Sequence, residues 1–154
     1  MVELKHNKHS VGQSAYHLVF RPKYNVSVFR HPWVKEVCEG AFKDVAERHN
    51  ITIHEMKVMP DHIHMFVGLS PSMSLSKAFQ LIKGGSSRII FQKCTKWKAF
   101  FSYDGQKKPH LWSPGTFYRS VGNVKADVIE NYIANSNKWD FDYLDKMQSS
   151  LEAF

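Results

Sequence analysis

The sequence predicts an α+β fold of the ferredoxin-like kind: a mainly antiparallel sheet with helices on one face. Three observations lead there. Short alternations of apolar and polar residues trade places with longer stretches of helical period, and two of the alternating segments meet at Pro60-Asp61, a turn signal. With 43% hydrophobic and 14% aromatic residues in 154, the chain can bury one core, so residues 1–154 are expected to form a single domain.

The elements follow in order. Ala15 to Arg21 alternates Tyr16, Leu18 and Phe20 against His17, Val19 and Arg21, the pattern of a strand. Pro32 to His49 reads as a helix with proline near its first turn, where a missing N–H costs nothing. Ile51 to Met59 and His62 to Gly68 are strands joined through Pro60-Asp61 as an antiparallel hairpin. Ser74 to about Lys93 forms a second helix, interrupted or strained by Gly84-Gly85. Gly115 to Val121 makes a further strand, and a last helix runs from about Asn123 to Trp139.

Cys38 and Cys94 are far apart and form no CxxC, which argues against a disulfide framework and a cysteine zinc site. The polar start from Met1 to Ser10 has no signal-peptide core, and no run is long enough to span a membrane, so a soluble cytoplasmic protein is expected. A net charge of +7 favours a polyanionic partner. Between His62 and Tyr103 there is no Asp or Glu, while Lys77, Lys83, Arg88, Lys93, Lys96 and Lys98 fall there among Phe91, Trp97, Phe100 and Phe101. Cations can neutralise phosphates and aromatics can stack on bases, although the same pattern suits a solvated helix followed by core aromatics. Lys57, Lys83 and Arg88 are the candidate DNA contacts.

His62 and His64 sit two residues apart, so a strand points both rings to one face with Cβ atoms about 7 Å apart, near enough to share a metal ion. Ile63, Met65 and Val67 then face the core. If Pro60 and Asp61 are the only turn residues, Lys57 faces His64 and Glu55 faces Phe66, which brings a carboxylate to the histidine face. One further turn residue would remove it. Two imidazoles and a carboxylate suit a partly hydrated divalent ion, Mg²⁺ or Mn²⁺. His17 can line the same surface or serve as a hydrogen-bonded sheet histidine. With nine histidines in the chain, HxH also arises by chance, which leaves a structural role open. In the last helix Val124, Val128, Tyr132 and Ser136 share one stripe, so Tyr132 is either a core tyrosine or, beside a metal-bound phosphate, a nucleophile.

Five separated blocks carry a more specific signal: Tyr16-His17-Leu18-Val19-Phe20-Arg21-Pro22-Lys23-Tyr24; Met59-Pro60-Asp61-His62-Ile63-His64-Met65-Phe66; Leu81-Ile82-Lys83-Gly84; Leu111-Trp112-Ser113-Pro114-Gly115 with Val121-Gly122; and Tyr132-Ile133. In this order, over nearly the whole chain, they resemble the small single-tyrosine HUH transposases of simple bacterial and archaeal insertion sequences, including the REP-associated type. The resemblance implies a single HUH domain working as a homodimer with merged sheets, the helix of Tyr132 completing the partner's site. It implies binding of single-stranded DNA with hairpin ends. It also implies attack by Tyr132 on the scissile phosphate, giving a 5′-phosphotyrosine and a free 3′-hydroxyl. The family usually places a metal-binding glutamine four residues after the tyrosine, where this chain has Ser136. Glu55, water, or Asn135 or Asn137 would then supply the third ligand, in that order, and Asp61 orients an imidazole. A domesticated HUH nuclease, a relaxase or replication-initiator nickase, and a non-catalytic single-strand-binding module are the other readings.

Overall fold

The computed structural model describes residues 5–7, 10–12, 14–102 and 109–121. A short hairpin, β1 (Lys5–Asn7) and β2 (Ser10–Gly12), precedes the main sheet. The sheet is built from β3 (Ala15–Phe20), β4 (Thr52–Val58), β5 (Ile63–Gly68) and β6 (Phe117–Val121) in the order β4-β5-β3-β6, every pair antiparallel. Helix α1 (Pro32–Arg48) connects β3 to β4. Helices α2 (Leu75–Lys93) and α3 (Thr95–Phe101) connect β5 to β6. Each crossover joins strands that run the same way with a third strand between them, which is the split βαβ arrangement of the ferredoxin-like fold.

Register assigns the two faces. Val58 pairs with Ile63, Met56 with Met65, and Leu18 with both Met65 and Tyr118. These residues look toward the helical layer, where Phe20 meets Phe42 of α1 edge-on at 5.8 Å and Tyr118 meets Phe79 of α2 at 6.0 Å. Leu18, Ile63, Met65 and Val67 are fully buried there with Ala78, Ile82 and Ile90, each large apolar side chain contributing about 1.5–3 kcal/mol. The hairpin register is the one a two-residue Pro60-Asp61 turn demands: Met59 N–H donates to the His62 carbonyl at 2.8 Å, Lys57 faces His64 and Glu55 faces Phe66. A bulge at His54 shifts pairing further out, beyond the histidines.

Three local expectations change. Gly84-Gly85 does not interrupt α2. The helix runs through both, capped by Ser74, whose hydroxyl accepts from Lys77 N–H at 3.1 Å. Gly85 lets α2 pack tightly on α1, because a Cβ there would stand 2.6 Å from Val45 Cγ2. Helix α3 and the β1–β2 hairpin were not foreseen. Trp112 locks the segment before β6 to the core: it packs edge-on against Phe20 at 4.9 Å and donates its indole N–H to Ser86 at 2.9 Å. The expected last helix, with Tyr132, lies outside the described residues.

Candidate functional site

The sheet face turned away from α1 and α2 carries the histidines. Two rows cross it in register: Lys57, His64, Val19 and Phe117, then Glu55, Phe66, His17 and Arg119. His62 enters from the start of β5. Its Nε2 lies 3.1 Å from Nε2 of His64, and the rings meet at 76°. Behind His62, Asp61 Oδ1 accepts from Nδ1–H at 2.8 Å, which leaves a lone pair on Nε2. Behind His64, Nδ1 lies 3.2 Å from Nε2 of His17, whose ring stacks on it at 5.5 Å and 14°. Phe117 closes the end of this row, edge-on to His17 at 6.4 Å.

Asp61, His62, His64 and His17 thus form one chain of contacts in which His64 has two tautomers available. With its proton on Nε2, it donates to His62 and accepts from His17. With its proton on Nδ1, it donates to His17, and two Nε2 lone pairs converge. The second arrangement fits a shared cation. Ligands at right angles around an octahedral centre with bonds of about 2.1 Å stand about 3.0 Å apart, close to the observed 3.1 Å. His64 is buried, and burial, followed by His62, His17 and Lys57, lowers its pKa to about 3, so at neutral pH the ring stays available as a lone-pair donor.

Glu55 shares the face but stands opposite Phe66, one row from His64. Among the described residues no third His, Cys, Asp or Glu joins the pair as a metal-holding group. Tyr132, Asn135, Ser136 and Asn137 lie outside the described residues. The other two expected DNA contacts, Lys83 and Arg88, are not on this face. Both line a groove of about 700 Å³ between α2 and residues 109–114, together with Lys23, His110 and Trp112. Lys83 is held within it: its ammonium donates to the Ser113 carbonyl at 2.7 Å and to the Thr116 hydroxyl at 2.9 Å, with the Gly115 carbonyl at 3.4 Å. Burial lowers its pKa to about 8. Its charge therefore fastens the loop before β6, while Arg88 is exposed. Arg119 was not singled out from the sequence, because its place beside His17 follows from the β3–β6 pairing, which alternation alone does not specify.

Fold and site place the chain among ferredoxin-like α+β domains with a histidine pair on the sheet face opposite the helices. Comparison with known proteins makes this particular: residues 10–136 match the model of the IS200-like transposases, and the chain belongs to that family. It is 27% identical over 139 residues to the ISDra2 transposase TnpA of Deinococcus radiodurans, covering 88% of this chain and 93% of that one. It is 30% identical over 125 residues to the transposase for insertion sequence element IS200 of Salmonella typhimurium, covering 81% and 78%. Among solved structures, a candidate transposase from Deinococcus radiodurans superposes with a TM-score of 0.65 at 24% identity, covering 85% of this chain and 96% of that one. A REP-associated tyrosine transposase bound to a REP hairpin superposes with a TM-score of 0.53 at 15% identity, covering 81% and 66%. Both share the fold. No helix among the described residues is long and apolar enough to cross a membrane.

Proposed function

We propose that this transposase cuts and rejoins single-stranded DNA at hairpin-bearing insertion-sequence ends, with Tyr132 as nucleophile. The observation that carries the reading is the convergence of the His62 and His64 Nε2 atoms at 3.1 Å, each ring held from behind by Asp61 or His17. In the cutting step the phenolic oxygen of Tyr132 bonds to the scissile phosphorus, the bond to the 3′ oxygen breaks, and that oxygen ends as a hydroxyl. In the joining step a 3′-hydroxyl attacks a phosphotyrosine and the phenol leaves. One phosphodiester replaces another, so no nucleotide cofactor is needed. A Mg²⁺ or Mn²⁺ ion held by His62 and His64 would polarise the phosphoryl oxygens and stabilise the leaving oxygen. Lys57 and Arg119 flank the pair on the same face and supply positive charge for the phosphates on either side. Glu55 from β4, water, or Asn135 or Asn137 would complete the ligand set. A homodimer in which the Tyr132 segment serves the partner's histidines belongs to the same proposal.

The test is a denaturing-gel assay for a covalent adduct on single-stranded oligonucleotides from the element's ends, with and without Mg²⁺ or Mn²⁺. The wild type is expected to form it only with metal, and Tyr132→Phe not at all. An adduct with Tyr132→Phe removes the nucleophile assignment. Mn²⁺ titration without DNA tests the ligands separately. His64→Ala should abolish tight binding, and His17→Leu should weaken it about 10- to 100-fold, as expected for loss of an outer hydrogen-bond partner, whereas His17→Gln keeps an acceptor for Nδ1–H and most of the affinity. Mn²⁺ affinity indifferent to His62 and His64 would make them structural.

A further inference from the structure

The helical layer presents a row of aromatic rings at the surface. Of the aromatics interleaved with lysines in the sequence, Phe91 and Phe101 enter the core, but Phe100 is 49% exposed and is joined at the surface by Tyr24 at 55% and Trp33 at 57%. Four of the rings are linked: Tyr24, with Lys23 Nζ over it at 5.0 Å, stacks on Phe101 at 6.2 Å and 14°, Phe101 meets Phe100 at 5.2 Å, and Phe100 meets Trp97 at 5.7 Å. Cavities lie at both ends. One, of about 740 Å³ between the start of α1 and α3, is lined by Trp33, Trp97 and Phe100 and rimmed by Lys93 and Lys96. The other is the groove that contains Lys23 and Arg88. Neither lining includes an Asp or Glu among the described residues. Tyr24 and Asn25 have left-handed backbones, φ 64 and 54, a conformation that asparagine tolerates but that is costly for tyrosine. Arg21 braces the bend by donating to Asn25 Oδ1 at 3.2 Å, and the ring of Tyr24 is set over Phe101 at the surface.

We propose that this row is a binding track for unpaired DNA, with bases stacked on Phe100 and Trp33 and phosphates on Arg88, Lys93 and Lys96. The proposal rests on the reading of the chain as a single-strand DNA enzyme and adds a second DNA surface, on the layer opposite the histidines. Charge selects the occupant. Cation-rimmed, carboxylate-free clefts suit a polyanion, whereas a second copy of a chain with net charge +7 would bring like charge to them. Ring faces suit bases, because every base offers a π-face to stack.

Fluorescence anisotropy with a labelled oligothymidylate, using the full chain in EDTA so that no cleavage occurs, tests the track. Trp33→Leu and Phe100→Leu keep apolar area but lose the ring, and each is expected to weaken single-strand binding about 5- to 100-fold, with binding of a blunt duplex unchanged. Trp33→Phe keeps a ring and most of the affinity. Unchanged single-strand affinity in both leucine variants overturns the proposal. So does a loss of affinity that accompanies dissociation of a dimer in sedimentation, which would make the row an interface between copies. If the leucine variants bind normally while Tyr132 still forms the adduct, the track fails alone. If they bind weakly while no adduct forms under any metal condition, the strand-transfer reading fails alone.

Discussion

At the scale of single residues, His64 is held on every side. It is buried between His62 and His17 with Lys57 opposite, and its pKa lies near 3 against an ordinary value of 6.5. A proton taken up by the unfolded chain between those values is refused by the folded one, so stability is complete above pH 6.5 and is lost as pH falls toward 3. At pH 5 this one group should cost about 2 kcal/mol relative to pH 7. Urea unfolding at the two pH values measures it, and His64→Gln should flatten the slope by that amount. If the slope is the same in the variant, the ring is solvated and the burial argument is wrong. Sequence spacing located this residue and its cross-strand neighbour, because a two-residue Pro60-Asp61 turn permits one register. It did not locate the neighbours behind the rings. That His17 stacks on His64 depends on β3 lying beside β5, a non-local pairing that no short-range pattern encodes.

At the scale of elements, the contact of α2 with α1 is decided by one glycine of a pair. A Cβ at Gly85 would stand 2.6 Å from Val45 Cγ2, whereas one at Gly84 meets nothing within 4 Å. Gly84→Ala should therefore stabilise the protein by up to about 1 kcal/mol through helix propensity, and Gly85→Ala should destabilise it by about 1–3 kcal/mol through overpacking. Thermal melts of the two variants decide between this and equal effects, the outcome if both glycines only weakened the helix. From the sequence the two residues look alike, since propensity is local and the approach of α1 is not. Strands β3, β4 and β5 and helix α1 were legible because residue alternation and the Pro60-Asp61 turn mark the strands, even though β5 is buried on both faces, and Pro32 marks the start of α1. Helix α3 was not: Trp97, Phe100 and Phe101 crowd seven residues without a single apolar stripe, one turning inward and the others along the surface.

At the scale of the whole molecule, a net charge of +7 says only that polyanions are attracted, and the fold decides where. The carboxylate-free stretch after His62 is folded into α2 and α3, so its cations gather along the helical layer, while Lys57 and Arg119 remain on the histidine face. Binding of a single strand should then carry a salt dependence assignable to particular side chains. Each phosphate contact on a single strand contributes about 0.7 to the slope of log affinity against log salt concentration. Removing Lys93 and Lys96 together should make that slope shallower by about 1.4, whereas Lys43→Ala, exposed on α1 away from both cavities, should leave it unchanged. Anisotropy titrations of an oligothymidylate over a range of NaCl concentrations, without metal, measure the slopes. If Lys43→Ala lowers the slope as much per charge as the Lys93 and Lys96 variant, attraction follows total charge rather than a track, and the cations of the helical layer make no direct contact with phosphate.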